Sequence, residues 1–236
     1  MGADFDHFIQ GKIIKRYKRF LSDVELPTGE VVTAHTPNTG SMRTCWEPGW
    51  PVMLSRSDNP KRKLPYTLEL THNGHTWINV NTSRTNDLAV QGIEDGTVAE
   101  LQGHTELKRE QKVKRGRIDI LLRYGSRLCY VEVKNVTLLG GKNKALFPDA
   151  VSTRGQKHLE DLMELKREGH RACMLFVVSR EDVDSFGPAF SHDPRYAELL
   201  AQAAKEGVEI LVYRCRIHEK GIALATPLPL SIDPAD

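Results

Sequence analysis

Two acidic side chains and a lysine stand in the middle of an otherwise apolar pair of strands. The segment 117–135 reads RIDILLRYGSRLCYVEVKN, and Gly125-Ser126 separates its two apolar runs. This pattern is typical of a β-hairpin with a two-residue turn. Counting outward from that turn places Asp119 directly opposite Glu132. Lys134 points to the same face as Glu132, because side chains alternate along a strand.

Two opposed carboxylates are unfavourable unless a cation neutralises them, because cross-strand neighbours lie only about 4.5–5.5 Å apart at Cβ. Mg²⁺ is held by one or two carboxylates and keeps water for a substrate, and a bound metal acidifies that water and offsets charge on a phosphate. Asp119 and Glu132 are therefore candidate ligands of Mg²⁺ or Mn²⁺. With Lys134 reaching the phosphate or the water, the three are candidate catalytic residues for phosphodiester hydrolysis. The alternative is a solvated strand face whose ion pairs contribute little.

The same register predicts which side chains share the other face of the hairpin. A three-residue loop would move the pairing by one position and put the two acids on opposite faces. With the two-residue turn, the second face is apolar throughout and consists of Ile118, Ile120, Leu122, Cys129, Val131 and Val133.

The segments around the hairpin alternate between helical and extended patterns. The polar stretch 98–114 is compatible with a helix before the hairpin, and a third strand is expected after the hairpin. Residues 152–169 begin with a Ser/Thr cap, show apolar residues at helical spacing and end at a glycine, which predicts an amphipathic helix. The later elements are a strand at 171–179, a helix at 193–207 and a strand at 208–214. This order indicates an α/β domain with some parallel pairing.

The first eighty residues have a different texture, with short strands separated by turn-forming sequences. Five short strands with this spacing favour a small OB-like β-barrel, and a fragment of a β-sandwich is the alternative. We therefore predict an OB-like domain at 1–84 and an α/β domain at 85–236. The predicted strands of the first domain are 12–21, 30–35, 51–57, 66–71 and 76–80.

Two basic clusters in the N-terminal region favour nucleic acid as a partner. One is GKIIKRYKRF and the other is NPKRKLPY, and both interleave cations with aromatic side chains. OB-type barrels bind nucleic acid by neutralising phosphates and stacking bases. With a net charge of only +2, affinity for a polyanion has to come from such clusters. A lysine-rich strand edge that prevents aggregation is the alternative. The candidate contacts are Lys15, Arg16, Tyr17, Lys18, Arg19, Lys61, Arg62 and Lys63.

Four scattered cysteines indicate a reduced protein. Cys45, Cys129, Cys173 and Cys215 form no CxxC pair and have no histidine at zinc-binding spacing. This argues against both a disulfide framework and a zinc site. No apolar stretch has the length of a membrane span, and the first residues lack the basic and apolar regions of a secretion signal. We therefore expect a cytoplasmic protein without a membrane partner.

The order Asp, then Glu-x-Lys on the neighbouring strand, resembles the PD-(D/E)XK nuclease superfamily. Longer segments resemble the sugar fermentation stimulation protein (SfsA) family, in a match that runs from about residue 15 to about residue 230. These segments are SRLCYVEVKNVTL, FPDAVSTRGQKHL, AHTPNTGSM and RYKRFLSDVEL. The resemblance implies an OB-like N-terminal domain, a nuclease-like C-terminal domain with an αβββαβ core, and DNA binding. The family name reflects a proposed regulatory role in sugar (maltose) metabolism.

The nuclease-like signature falls on Asp119, Glu132 and Lys134 of this chain. The resemblance also implies an acid on a preceding helix. Glu110 is the best match as a third metal ligand, and Glu106 competes with it one turn earlier, while a plain surface role for Glu110 stays open. The proline that gives the superfamily its name is absent, since Ile118 precedes Asp119.

Three further polar residues lie near the start of the helix that follows the hairpin. Gln156 shares the inward face of that helix, so it is either a residue that touches the site water or the DNA, or a satisfied internal amide. Arg154 and His158 are expected on the other side, facing phosphates or solvent.

The loop 35–42, HTPNTGSM, either lines a phosphate pocket or shapes the domain junction.

The leading hypothesis is a DNA-binding protein whose nuclease-like domain hydrolyses phosphodiesters with Mg²⁺ or Mn²⁺. A non-catalytic DNA-binding regulator that kept the fold and the acids is the second hypothesis. RNA processing is the third, because neither basic cluster distinguishes DNA from RNA.

Overall fold

The computed structural model of the chain describes residues 3–5, 7–113, 116–218 and 221–232. The α-helices in this part of the chain are α1 (Thr85–Glu94), α2 (Thr153–Arg167) and α3 (Pro194–Lys205). The strands are β1 (Ala3–Asp4), β2 (Ile9–Tyr17), β3 (Leu21–Glu25), β4 (Val31–His35), β5 (Pro51–Arg56), β6 (Tyr66–His72), β7 (Trp77–Asn79), β8 (Glu106–Val113), β9 (Gly116–Tyr124), β10 (Arg127–Val136), β11 (Leu138–Leu139), β12 (Lys144–Phe147), β13 (Arg171–Val178), β14 (Ser185–Pro188), β15 (Glu209–His218) and β16 (Gly221–Pro227).

The N-terminal strands form a closed barrel. Its strand order is β4-β3-β2-β5-β6, and a parallel pairing of β4 with β6 closes the ring, while β7 adds to β6. Alternate side chains point inward, as the strand period requires, so Ile13, Val24, Leu54 and Leu68 are fully buried in its core. The prediction of a five-stranded OB-like barrel is confirmed.

One predicted strand of the barrel is wrong in its extent. The segment 12–21 is not continuous: β2 ends at Tyr17, and Lys18 and Arg19 form a turn with φ angles of 49° and 66°. The chain then returns as β3, which the turn-like sequence around LPTGE hid. A turn with two residues at positive φ suits the twist of an antiparallel hairpin, which explains why the predicted strand is interrupted there.

The C-terminal domain is built on a seven-stranded sheet of order β1-β16-β15-β13-β10-β9-β8, in which β10, β13 and β15 run parallel. The helix α1 packs on one face of this sheet, and α2 and α3 pack on the other. The chain order α1-β8-β9-β10-α2-β13 is an αβββαβ core, so the nuclease-like fold is confirmed. The third strand of the core is β8, which precedes the hairpin, and the prediction of a third core strand after the hairpin is wrong. The short strands β11, β12 and β14 make a separate small sheet.

The predicted helices after the hairpin are also confirmed, and both begin at side-chain caps. The Ser152 hydroxyl accepts from the backbone N–H of Gly155, and the Asp193 carboxylate accepts from that of Tyr196, with Pro194 at the first helical position. Such caps satisfy backbone donors that the first turn leaves unpaired. None of the helices within the described residues is long and apolar enough to cross a membrane.

The predicted helix at 98–114 is wrong. Its second half is the edge strand β8, its first half contains only a short 3-10 turn at Ala99–Leu101, and Lys114 lies outside the described residues. Charged side chains on an edge strand prevent it from pairing with strands of other molecules. The resulting sequence is as polar as that of an exposed helix, which explains the wrong prediction. The helix before the hairpin is instead α1, which buries Leu88, Ala89 and Ile93 against the sheet.

A buried arginine joins the two domains. The Arg180 side chain is fully buried and donates to the carbonyl of Thr137 at 2.8 Å and to the Thr44 hydroxyl at 3.3 Å. Its other nitrogens pair with Asp182 at 2.6 and 2.7 Å. The backbone N–H of Asn79 also donates to the carbonyl of Ser179 across the junction. These contacts hold the barrel in a defined position against the sheet.

Candidate metal and phosphodiester site

The hairpin that carries the two acids has the predicted register. Arg127 pairs with Tyr124 and Val131 pairs with Ile120, so the connection is the two-residue turn. The ladder stops at Ile120–Val131, one position before Asp119 would meet Glu132. The Asp119 carboxylate replaces the missing ladder bond, since its Oδ2 accepts from the backbone N–H of Val133 at 2.8 Å. The acids therefore lie where the two strands begin to separate.

The predicted apolar face is wrong at one residue. Ile120 and Leu122 pack with the core on the α1 side, as expected, but Ile118 packs with Tyr130 and Leu162 on the α2 side. The regular alternation is interrupted at Asp119, because the ladder with β10 has ended there. Ile118 consequently becomes part of the wall beside Glu132.

Asp119 faces α1. The side-chain amide of Asn86, in the first turn of that helix, donates to Asp119 Oδ1 at 3.1 Å. Burial and the neighbouring charge of Glu132 raise the pKa of Asp119, and the two hydrogen bonds from Val133 and Asn86 only partly offset this. Asp119 is thus a carboxylate whose charged form lacks a full counter-charge, as expected for a ligand of a cation.

Glu132 faces α2 and is almost fully buried. Its Oε1 accepts from Lys134 Nζ at 2.8 Å and also contacts His158 Nδ1. Burial alone would raise the pKa of Glu132, but the His158 contact and the Lys134 charge outweigh burial and lower the pKa below its usual value. Both contacts use the same oxygen, which leaves Oε2 as the atom that can be offered to a metal.

His158 belongs to the site, contrary to the expectation that it faces phosphate or solvent away from the acids. Its Nδ1 lies 2.9 Å from Lys134 Nζ, so histidine, lysine and Glu132 form one cluster. Arg154 is exposed as expected, and its Nε lies 3.4 Å from His158 Nε2. His158 directly precedes the buried Leu159 on α2. This position next to the inward face of the helix is the feature of the sequence that could have placed His158 near the acids.

The predicted helical acid is not on a helix. Glu110 is in strand β8 with a φ of 53°, and its side chain is half-exposed and paired with Arg117 at 3.0 Å. Its Oε1 nevertheless lies 3.4 Å from the Asn86 amide nitrogen that also binds Asp119. The competitor Glu106 pairs with Lys108 and Arg123 instead. The residue that α1 brings to the acids is therefore Asn86, which sequence reasoning missed.

Gln156 is used in packing between helices. Its amide nitrogen donates to both carboxylate oxygens of Asp193, at 2.8 and 3.1 Å. Asp193 is the N-cap of α3, so this bond ties the start of α2 to the start of α3. Of the two roles considered for Gln156, the geometry supports the satisfied internal amide.

The first basic cluster is partly committed to the barrel itself. Arg16 donates to the carbonyls of Asn38 and Gly40 at 2.9 and 3.0 Å, and Arg19 donates to that of Thr39 at 2.9 and 2.6 Å. These two arginines therefore hold the 35–42 loop. Lys18 stays exposed beside them.

The other cations and the aromatic side chain of the clusters are closer to solvent. Lys15 pairs with Asp23 at 3.3 Å, and Tyr17 donates to the same carboxylate at 3.0 Å. Lys61 and Lys63 are exposed, whereas Arg62 donates to the hydroxyl of Thr67 at 3.0 Å. Of the predicted contacts, Lys15, Lys18, Lys61 and Lys63 are thus exposed lysines that a polyanion can reach.

The 35–42 loop also reaches the C-terminal domain. The backbone N–H and hydroxyl of Ser41 donate to Asp149 Oδ2 at 2.6 and 3.0 Å. A Cβ atom at Gly40 would lie 2.4 Å from that same oxygen, so only glycine allows this approach. The loop therefore shapes the domain junction, which was one of its two expected roles.

Comparison with known proteins assigns both domains to one family. Residues 14–80 match the SfsA N-terminal OB domain, and residues 83–221 match the sugar fermentation stimulation protein RE domain. The chain belongs to the SfsA family. It is 54% identical over 217 residues to the sugar fermentation stimulation protein homolog of Geotalea uraniireducens, covering 92% of this chain and 94% of the relative. The homolog of Syntrophotalea carbinolica is 51% identical over 225 residues, covering 95% and 97%.

A solved member of the SfsA family has the same overall structure. The structure of Pyrococcus furiosus SfsA in complex with Ca²⁺ superimposes with a TM-score of 0.87 at 27% identity, covering 98% of this chain and 99% of that one. The two domains described above are thus arranged as in that relative. Asp119, Glu132 and Lys134 all lie in the segment that matches the RE domain.

The donor set of the two acids resembles one class of metal site more than another. Among the described residues no group of three or more His, Cys, Asp or Glu side chains is placed to hold a metal ion. Zinc sites use three or four such ligands, whereas Mg²⁺ is commonly bound by one or two carboxylates and water. Asp119 and Glu132 fit the second kind of ion, with two hard oxygen ligands on adjacent strands.

Proposed function

We propose that this SfsA-family protein binds DNA and hydrolyses phosphodiester bonds with Mg²⁺ or Mn²⁺ at Asp119, Glu132 and Lys134. The observation that carries the proposal is that the Asp119 carboxylate binds the backbone N–H of Val133, between Glu132 and Lys134 in sequence, at the point where β9 and β10 separate, near enough for the Glu132 charge to raise the pKa of Asp119. A hairpin selected for stability alone would avoid two neighbouring acids. A cation-dependent reaction gives that arrangement a use.

Each side chain has a role that its contacts support. Asp119 and Glu132 hold the metal, and Asn86 orients Asp119 through its hydrogen bond. A bound Mg²⁺ or Mn²⁺ would supply an acidified water and neutralise charge on the phosphate. Lys134 donates to Glu132 and is directed by His158, so its ammonium can turn toward a phosphate oxygen or the attacking water. Glu110 is a third ligand only if its pair with Arg117 opens.

Two observations support a divalent cation and a polyanionic partner. The Pyrococcus furiosus relative was solved in complex with Ca²⁺, which prefers the same oxygen ligands as Mg²⁺. The barrel presents Lys15, Lys18, Lys61 and Lys63 to solvent, as expected of an OB-type surface that tracks a phosphate backbone. We take DNA as the preferred polymer, and an RNA substrate is a measurable alternative.

A non-catalytic DNA-binding regulator is the second candidate, and one observation favours it. Glu132 is already neutralised by Lys134 and contacted by His158 within the chain. A metal has to compete with these partners for the carboxylate. A regulator that keeps the fold while using internal cations in place of a metal would have this geometry, and it would agree with the sugar-metabolism role in the family name.

The division of labour follows the two domains. We propose that residues 1–84 contact nucleic acid and residues 85–236 carry the chemistry, with β1 as an exception because it pairs with β16 in the C-terminal sheet. All four cysteines are buried free thiols, which supports the proposed location in the reducing cytoplasm.

The test is a cleavage assay with supercoiled, linear and single-stranded DNA, and with single-stranded RNA, in the presence of Mg²⁺ or Mn²⁺. Wild-type protein should cut at least one DNA substrate, and Asp119→Ala and Lys134→Ala should each lose cleavage while they retain binding. Binding without cleavage by the wild type would favour the regulator. Cleavage that survives Asp119→Ala would contradict the assigned site.

A further inference from the structure

A pocket opens directly beside Glu132, between α2 and the end of the β8–β9 hairpin. Its volume is about 270 Å³. The floor is apolar and is made by Val113, Ile118, Leu162 and Leu165. Glu132 and His158 line the end of the pocket that meets the acids. Any molecule held in it would therefore be adjacent to the proposed site of chemistry.

Charged side chains of both signs line this pocket around its apolar floor. Arg117, Arg154 and Lys157 are exposed cations. Asp161, on the next turn of α2, and Glu168, at the end of that helix, are the acids. Cations together with acceptor-only carboxylates around an apolar floor suit a ligand that carries a phosphate, a flat apolar ring and ring-edge donors.

We propose that this pocket receives one unpaired nucleobase of a DNA strand whose adjoining phosphate lies at Asp119 and Glu132. The inference rests on the proposed function and narrows its substrate to a single-stranded or frayed nucleotide. Inside a duplex the base is stacked and paired, so it cannot enter a side pocket without leaving the helix. An already unpaired base enters at the lowest cost.

The lining also determines which bases fit best. A carboxylate accepts hydrogen bonds and donates none, so Asp161 favours a base edge that carries an exocyclic amino group. Adenine, cytosine and guanine have that group, whereas an unpaired thymine offers only its ring N3–H, which stands between two carbonyl oxygens that repel a carboxylate. The pocket is thus expected to discriminate against thymine, while Arg154 and Lys157 hold the phosphate without regard to sequence.

A nucleobase explains the lining better than an apolar side chain of a protein partner does. An apolar side chain would complete the burial of Asp161, which is partly buried, without giving it a hydrogen-bond donor, and burying an unpaired carboxylate is costly. It would also bring no anion to Arg154 and Lys157. The nucleotide pairs both kinds of charge.

The direct test uses a single-stranded oligonucleotide with 2-aminopurine at its terminal position, in EDTA so that nothing is cut. Among the described residues, no Phe, Tyr or Trp side chain lines the pocket, so an unstacked 2-aminopurine inside it should brighten several-fold. Leu165→Trp fills the floor and should abolish the rise. Val151→Trp adds the same bulk at an exposed residue outside the pocket and should leave it intact.

A second measurement does not depend on a bulky variant. Oligonucleotides ending in cytosine should displace the probe at about fivefold lower concentration than those ending in thymine, which is the lower range for one discriminating hydrogen bond. Asp161→Asn should remove that preference. No rise in wild type, an undiminished rise in Leu165→Trp, or equal competition by the two bases would each overturn the proposal.

These readouts separate the pocket from the chemistry. A 2-aminopurine signal in a protein that never cleaves DNA would support the pocket and contradict the proposed hydrolysis. DNA cleavage without a 2-aminopurine signal would support the proposed hydrolysis and contradict the pocket. Binding of the apolar dye ANS at the pocket, abolished in Leu165→Trp and not displaced by any oligonucleotide, would assign it to a protein partner and overturn the nucleobase.

Discussion

Replacing Arg180 with alanine removes a fully buried guanidinium from the junction of the two domains. The change leaves the Thr137 carbonyl and the Asp182 carboxylate without their shortest partners, which lie at 2.8 and 2.6 Å. Removing one member of a buried pair costs about 3–5 kcal/mol. Because the Asp182 side chain keeps 21% of its exposure, we expect the lower end, about 3 kcal/mol. For a chain of this size that lowers Tm by about 6–12 °C.

Two optical probes show whether the junction couples the domains. All three tryptophans precede residue 85, whereas all α-helices among the described residues begin at or after it. Trp46 and Trp50 pack against the barrel core, whereas Trp77 packs against the core of the large sheet. Tryptophan fluorescence therefore reports mainly on the barrel, and the helical signal in far-ultraviolet circular dichroism reports on the nuclease-like domain. In urea the two transitions should coincide in wild type and separate in Arg180→Ala, since coincident transitions are the sign of cooperative unfolding.

Arg195→Ala is the matched control. That arginine is 56% exposed and pairs with Glu198 at 3.2 Å on the surface, so its loss should cost less than about 1 kcal/mol. An Arg180→Ala variant that loses no more stability than this control, and whose two transitions still coincide, would refute the reasoning. The loss of stability in Arg180→Ala relative to wild type should also shrink at low pH. Burial raises the pKa of Asp182, but Arg180 lowers it below its usual value overall, so the pair stabilises the fold above the unfolded pKa of about 4 and is lost as pH falls through the folded pKa.

Two further predictions concern the acids and the basic clusters. Asp119→Asn should raise Tm by a few degrees in EDTA while it removes cleavage, because burial and Glu132 raise the pKa of Asp119. Between the unfolded and the folded pKa of Asp119, the folded state binds more protons than the unfolded state. The ionised Asp119 therefore lowers the free energy of unfolding once pH has risen through its folded pKa. An unchanged or lower Tm in Asp119→Asn would contradict this reasoning. Lys61→Ala with Lys63→Ala should weaken DNA binding and reduce the slope of log affinity against log salt by about one for each phosphate that the protein no longer neutralises. Arg16→Ala should instead lower Tm with little change in that slope, because this side chain holds loop carbonyls; the opposite pattern in fluorescence anisotropy titrations would contradict the division.

The parts of the fold that the sequence predicts correctly are those set by short-range chemistry. The Gly125-Ser126 turn determines the hairpin register, which the structure follows from Tyr124–Arg127 to Ile120–Val131. Ser152 and Asp193 mark the starts of their helices because each caps backbone donors a few residues away. In each case the interaction lies within about a dozen residues, so the pattern is visible without the tertiary structure.

The parts that the sequence does not predict depend on contacts between distant segments. Asn86 precedes Asp119 by 33 residues and meets it only because α1 packs under the sheet. His158 looks like a surface residue on its helix until β10 is placed beside it. The sequence predicts a helix around Glu110 because a charged edge strand and an exposed helix have similar compositions. The sequence likewise presents Arg16 as a free cation, and only the folded structure shows the loop carbonyls that it binds.

Direct measurement of metal binding tests the central claim most simply. Electron paramagnetic resonance of free Mn²⁺, titrated with protein at neutral pH, should show a site that is present in wild type and absent from both Asp119→Asn and Glu132→Gln. Circular dichroism should show that both variants remain folded, and Glu106→Gln, whose carboxylate is paired elsewhere, should bind as wild type does. Mn²⁺ binding that is unchanged in the two site variants, or absent from wild type, would contradict the account.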